Sequence, residues 1–405
     1  MIVKLLVLSN GHGEDKIALR IIEQLQIVTN TLELAALPIV GQGYVYRKSN
    51  IAIAGRVQQM PSGGFIYKGG NPLWQDLRGG LIGLTLEQIK LVRRWGKNGG
   101  VILAVGDIVP LLYAWLSQAN YAFVGTAKSD YYLRDETGWL AKTSQIERQL
   151  GSVYMPWERW LMSRDACQGV FPRDSLTTDI LRNYSIPAYD LGNPMMDGIT
   201  AKAEPTQPDS LNILLLAGSR MPEALQNWQQ ILNAVLDTIS TFPQKQLNFM
   251  GAIAPSLELQ PFIQQAQTHR WQITNQEAQT VTLNQHHTSL ILSQNSYGKY
   301  LQQADVAIAM AGTATEEFVG LGKPAIIMPG TGPQFTYAFA EAQSRLLGCS
   351  IIMVENSQRV GQAIAKVINN PQQLQQIAIN GKKRMGESGA AQRIAQCLCK
   401  TLLKV

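Results

Sequence analysis

The sequence predicts an α/β protein built from two doubly wound parallel sheets, and three observations carry the prediction. Short apolar runs alternate with helix-period segments along most of the 405 residues, the pattern of parallel strands wrapped by helices. A strand that ends in a glycine turn and starts a helix occurs twice, in LLVLSNGHGED from Leu5 and in ILLLAGSRMPEA from Ile213. Between them EPTQPDS, Glu204 to Ser210, has prolines and no apolar side chain, the composition of a linker. The expected domains are residues 1–203 and 211–385, joined by 204–210, with a cleft between them. A last helical segment, 386–405, packs either on its own domain or across on the first.

Bulk properties narrow the class. Hydrophobic residues make up 45% and charged residues 16%, so the chain is globular and lightly charged. The net charge of +6 suits phosphorylated substrates or an anionic membrane surface. No Lys/Arg block marks a nucleic-acid stripe. The four cysteines, Cys167, Cys349, Cys397 and Cys399, form no Cys-x-x-Cys pair and read as buried or idle thiols. The opening MIVKLLVLSNGHGED is a strand and not a secretory signal. The longest apolar stretch, VILAVGDIVPLLYAWL from Val101, carries Asp107 and Pro110 and is too short to span a bilayer. A cytoplasmic protein is expected, able to touch a membrane without crossing it.

In the first half the expected strands are Val3–Leu8, Leu32–Leu37, Val101–Val105 and Tyr121–Val124. In the second they are Asn212–Leu216, Leu247–Gly251, Val306–Met310, Ala325–Met328 and Ile351–Val354. From Gln362 the tail is helical in pattern, broken at Asn370-Pro371 and at Gly386 and Gly389. The most informative junction is AIAMAGTATEEFVGLGKPAIIMPG, Ala307 to Gly330. Thr313 and Glu316 have capping-box spacing, and Gly322 with Pro324 marks the helix end. Glu317 lies about 100° around the helix from Glu316, outside that cap.

A helix N-terminus at the carboxyl end of a parallel strand is an anion site, and small residues there admit a diphosphate. A carboxylate just inside such a helix can accept from ribose hydroxyls. The alternative is an ordinary strand–turn–helix junction with a solvated glutamate. LLLAGSR, Leu214 to Arg220, adds a second glycine turn with a hydroxyl and a guanidinium suited to phosphate. The first half differs. Its turn places Glu14 and Asp15 in the first helical turn, complementing the helix dipole and repelling phosphate. The nucleotide is therefore expected in the second domain, and acceptor binding and chemistry in the first.

These residues resemble a known family. AGSR followed by Glu223, then GTATEE…GKPAIIMPG, is similar to the nucleotide-sugar half of GT-B glycosyltransferases, closest to lipid-A-disaccharide synthase. LGNPMMD, Leu191 to Asp197, resembles that family's Gly-x-Pro-Leu-x-Asp segment at the domain junction, and PIVGQGYVYRKSNIAIAG, Pro38 to Gly55, its early glycine-rich loop. GPQFT, Gly332 to Thr336, is similar to the Gln-bearing loop by which the muramyl-pathway N-acetylglucosaminyltransferase contacts its donor sugar. The resemblance implies that Gly218, Ser219 and Arg220 hold the diphosphate of a UDP-sugar, with Gly312, Thr313 and Thr315 lining it. It implies ribose binding by Glu317 and sugar contact by Gln334. It also makes Tyr297 either a wall of the base pocket or a packed tyrosine. The chain departs from the family in its first turn, NGHGED against Gly-Glu-Ala-Ser-Gly-Asp, where His12 is nearer the muramyl enzyme. GDIVP, Gly106 to Pro110, stands for the catalytic Ile-Asp-x-Pro with altered spacing.

Sugar transfer needs a base for an acceptor hydroxyl and charge stabilisation on the leaving diphosphate. No Asp-x-Asp metal motif stands at a strand end, and Arg220 with the helix beyond Gly312 can serve the leaving group without a cofactor. Asp107 is the first candidate base, its alternative being an N-cap. His12 is the second, its alternative a loop histidine bonded to a carbonyl. GGLIGLTLEQIKLVRRWGKNGG, from Gly79, sets Leu81, Leu84, Leu91, Val92 and Trp95 near one face, with Lys90, Arg93, Arg94 and Lys97 as a basic stripe. Such a helix can lie among lipid headgroups beside a lipid or glycolipid acceptor, or pack on the core with a solvated cationic face. FIYKGGNPLW just before it reads as a glycine-rich specificity loop. The function expected is transfer of an N-acetylglucosamine-like sugar from a UDP donor to that acceptor. The alternatives are a UDP-sugar 2-epimerase or hydrolase, and a binding protein that has lost transfer.

Overall fold

The computed structural model describes residues 3–29, 31–57, 81–199, 209–285 and 287–405, and of His12 and Leu81 the main chain alone. Residues 204–208 of the expected linker and the loop FIYKGGNPLW lie outside the described residues. The chain forms two compact units, Met1–Asp197 with Glu387–Val405, and Gly198–Gly386.

In the first unit the strands are β1 (Val3–Ser9), β2 (Leu32–Pro38), β3 (Ala52–Ile53), β4 (Val101–Gly106), β5 (Tyr121–Gly125), a short antiparallel pair β6 (Arg134–Asp135) and β7 (Gly138–Trp139), and β8 (Cys167–Phe171). The main sheet runs β3-β2-β1-β4-β5-β8, all parallel. Successive side chains of a strand point to opposite faces, and here both faces are covered. Leu6, Leu8, Ile102 and Ala104 pack on one side, Leu5, Val7, Leu103 and Val105 on the other. Near-continuous apolar strands are the result.

The helix Leu81–Lys97 covers the first of these faces, and Leu84 and Val92 are fully inside that core. The stripe expected to meet lipid is therefore the packing face, because only that side of the helix can cover the sheet. Lys90, Arg93, Arg94 and Lys97 are exposed. The second face is covered by the helix His12–Val28 and by Ala390–Leu398, whose Ile394, Ala395 and Leu398 are buried. The last helix is anchored at its start. The Asp197 carboxylate accepts from the N–H groups of Gly389, Ala390 and Ala391 at 2.6, 3.0 and 2.7 Å.

The second unit contains β9 (Ser210–Leu216), β10 (Gln246–Ala252), β11 (Gln272–Glu277), β12 (Thr280–Gln285), β13 (Thr288–Ser293), β14 (Val306–Ala309), β15 (Ala325–Ile327) and β16 (Ile351–Met353). Their order is β11-β12-β13-β10-β9-β14-β15-β16. From β13 to β16 the neighbours are parallel, while β11 and β12 join antiparallel at one edge. All nine expected strands are present. Among the described residues no helix is long and apolar enough to cross a membrane.

Candidate functional site

Among the parallel strands of each sheet the strand order reverses once, and the loops leaving the two strands at that point face outward together. In the second unit the reversal lies between β9 and β14. After β9 the chain turns through Ala217 to Arg220, with Gly218 at φ +98°, a region that favours glycine. After β14 it turns through Ala311 and Gly312 into the helix Thr313–Gly320.

Buried side chains tie these loops together. Asn227, from the helix Glu223–Thr241, donates to the carbonyl oxygens of Ala217 at 3.1 Å and Met310 at 3.4 Å. Gln343 donates to those of Ala311 and Gly312, both at 3.2 Å. Glu223 accepts from the N–H groups of Gln334 at 2.9 Å and Phe335 at 2.7 Å, which fixes the loop that follows β15. A side chain at Gly332 would come within 2.4 Å of Glu223 Cγ, so glycine allows that approach.

Gly218, Ser219, Arg220, Gly312 and Thr313 stand on the two loops, with Ser219, Arg220 and Thr313 exposed. Gln334 is on the neighbouring loop, half-buried. Thr315 is buried and turns its hydroxyl back to the Ala311 carbonyl at 2.6 Å. The capping box does not form. Gly312 is the N-cap and no side chain caps it, so Glu316 lies one residue beyond the position that could reach back. Gly322, at φ +80°, ends the helix as expected.

Tyr297 and Glu317 are brought together: the tyrosine hydroxyl donates to the Glu317 carboxylate. Burial, and then the Glu317 charge, push the Tyr297 hydroxyl above its ordinary range, so it stays a donor. The helix carrying Tyr297, Tyr297–Gln303, is held at its far end by Lys323, which donates to the carbonyl oxygens of Leu301, Gln302 and Ala304.

In the first unit the reversal lies between β1 and β4. Asp107 caps the helix Ile108–Leu116 by accepting from the Val109 N–H at 2.9 Å. It also receives the Asn10 amide, 3.3 Å from each carboxylate oxygen. His12 is the first residue of its helix, and its side chain lies outside the described atoms.

Glu14 and Asp15 stand in the first turn of the helix His12–Val28 as expected, and both side chains are also drawn into the fold. Asp15 is buried and accepts from Ser9, 2.6 Å away, which also bonds Tyr46 at 2.7 Å. Glu14 lies against Gly106 and accepts from Thr126 at 3.3 Å. Burial first and the Asp107 charge second push its carboxyl up to about 8. Asn227, Gln343 and Glu14 were missed in sequence. Each is an ordinary polar helix residue whose partners come from distant loops.

No protein-family model and no curated protein matches the chain. Solved structures do. UDP-bound MnaA from S. aureus is similar at TM-score 0.60 and 14% identity, covering 100% of this chain and 98% of that one. The UDP-GlcNAc 2-epimerase from Neisseria meningitidis, bound to UDP-GlcNAc, is similar at 0.57 and 16%, over 100% of both. MurG from Acinetobacter baumannii gives 0.56 and 14%, over 98% and 99%. The fold is of the GT-B type. At these identities the likeness establishes the architecture, two Rossmann-like domains in one chain.

Proposed function

We propose that the second domain binds a UDP-sugar at its strand-order reversal and that the protein transfers the sugar to a hydroxyl of a lipid or glycolipid acceptor. One observation carries the donor assignment: two glycine turns at adjacent strand ends, one bearing Arg220, are locked side by side by Asn227. Free N–H groups at the start of the helix Thr313–Gly320 and the Arg220 guanidinium would take the diphosphate. Glu317, oriented by Tyr297, would accept from the ribose hydroxyls, and Gln334 would meet the sugar. Asp107 would serve as base, with His12 as the other candidate. No metal ion or cofactor enters the proposal.

The motif likeness to lipid-A-disaccharide synthase supports the lipid side, and so does a surface of the first domain. Trp115 and Trp160 lie edge to face with centroids 5.5 Å apart, both part-exposed. Arg164 stacks on Trp160 at 4.5 Å, and Arg93 donates to the Leu116 carbonyl. Indole rings with adjacent cations suit a headgroup region, which supports the reading of a cytoplasmic enzyme peripheral on the inner face of the cell membrane.

Epimerisation at the sugar C2 is the second reading, favoured by the UDP-GlcNAc 2-epimerase among the similar solved structures and by the Glu14 and Asp107 carboxyl groups in the same region of the first domain. Incubation with UDP-N-acetylglucosamine separates the two. Transfer releases UDP only when a lipid extract is added, and the label moves to the lipid. A C2 epimer formed without UDP release would replace transfer by epimerisation. No turnover, with UDP still bound, would leave a binding protein.

A further inference from the structure

Glu14 is a buried carboxyl that the donor and acceptor assignments do not use. Its position is built by a distant glycine: a Cβ at Gly106 would fall 2.8 Å from the Glu14 carboxyl carbon. Gly106 also has φ +135°, so two constraints favour glycine there. One Glu14 oxygen receives the Thr126 hydroxyl, and the other is buried without a side-chain hydrogen-bond partner among the described residues. The next residue after Gly106 is Asp107, whose carboxylate is already used by the Asn10 amide and the Val109 N–H. Among the described residues, the other titratable groups that face Glu14 are Asp15 and Tyr46.

We propose that Glu14 and Asp107 form one carboxyl pair holding a single proton, with Glu14 as the buried member that keeps it and Asp107 as the member that works on substrate. Glu14 is thus a positioning residue that acts through Asp107. The proposal rests on the transfer reading for its chemistry. In that step Asp107 takes the proton of the acceptor hydroxyl as the new C–O bond forms. The UDP leaves with the electron pair of the old C1–O bond. The Glu14 proton stays in place, so the pair passes from one negative charge to none. Were both groups ionised, the pair would go from two charges to one, and like-charge repulsion would oppose substrate anions throughout. The raised Glu14 carboxyl agrees with this geometry.

The test is a carbon-detected NMR titration of the full chain labelled at its glutamate carboxyl carbons. One glutamate is expected to titrate near pH ~8, to vanish in Glu14→Gln, and to move toward acid in Asp107→Asn. All glutamates titrating below about pH 6 would overturn the proton-holding role. A signal unmoved in Asp107→Asn would overturn the pair. In sugar transfer, the wild-type rate should fall as the pH passes ~8, and that alkaline limb should be absent in Glu14→Gln. An unchanged limb would refute action through Asp107. UDP binding measured on the same samples tests the donor assignment separately, since its loss leaves the titration result standing.

Discussion

Asn227 gives one amide to two loops that are far apart in sequence, and the site depends on that link. Replacing it by alanine leaves two buried carbonyl oxygens without this donor, at a cost of about 1–3 kcal/mol. Asn227→Ala is expected to lower the unfolding free energy by that amount, and the urea midpoint with it, and to weaken UDP binding by roughly tenfold or more, measured by denaturation and calorimetry. Glu14 makes a prediction in pH. Its folded pKa, about 8, lies above the ordinary 4.5. Its contribution to stability is therefore complete below about pH 4.5 and is lost as the pH rises through about 8. Each pKa unit is worth ~1.4 kcal/mol, so denaturation midpoints should fall across that window, and less steeply in Glu14→Gln. Arg220 and Glu317 were legible as candidates because guanidinium and carboxylate beside a glycine turn have few other uses. Glu14 was not, because an acidic residue in a first helical turn already has an explanation in the helix dipole. Its burial depends on Gly106, at the end of the strand Val101–Gly106.

At the scale of elements, apolar periodicity did most of the work. Strands buried on both faces, such as Val3–Ser9 and Ser210–Leu216, stand out as apolar runs. The edge strand Gln272–Glu277 did not, since all six residues are exposed and only one, Ile273, is strongly apolar. The basic amphipathic helix Leu81–Lys97 shows a different limit. Its pattern gives an apolar face but not what covers it, and the sheet rather than lipid does so. The last helix, Ala390–Leu398, is held by the Asp197 carboxylate on its first N–H groups. Asp197→Ala should cost about 1–2 kcal/mol, as losing an N-cap does. Hydrogen exchange should accelerate first in residues 390–403 and along the helix His12–Val28 that they cover. Uniform exchange across the chain would show that the cap is not local.

At the scale of the whole molecule, the two-sheet architecture was readable from the repeated strand–glycine–helix unit, while the order of the strands within each sheet was not. The proposed membrane surface was not readable in the sequence. Trp115 and Trp160 sit on different helices, Ile108–Leu116 and Pro156–Met162, and only the fold pairs them. The protein should sediment with vesicles rich in anionic lipid, less so at high salt. Trp115→Ser with Trp160→Ser should abolish this while leaving UDP binding intact. The central claim is that the second domain's strand-order reversal binds a UDP-sugar. Calorimetry with UDP on the wild type, Arg220→Ala and Glu317→Ala tests it most directly. Saturable binding by the wild type, lost or much weakened in both folded variants, is the predicted result. Wild-type affinity retained by both variants, or no binding by the wild type, would contradict it.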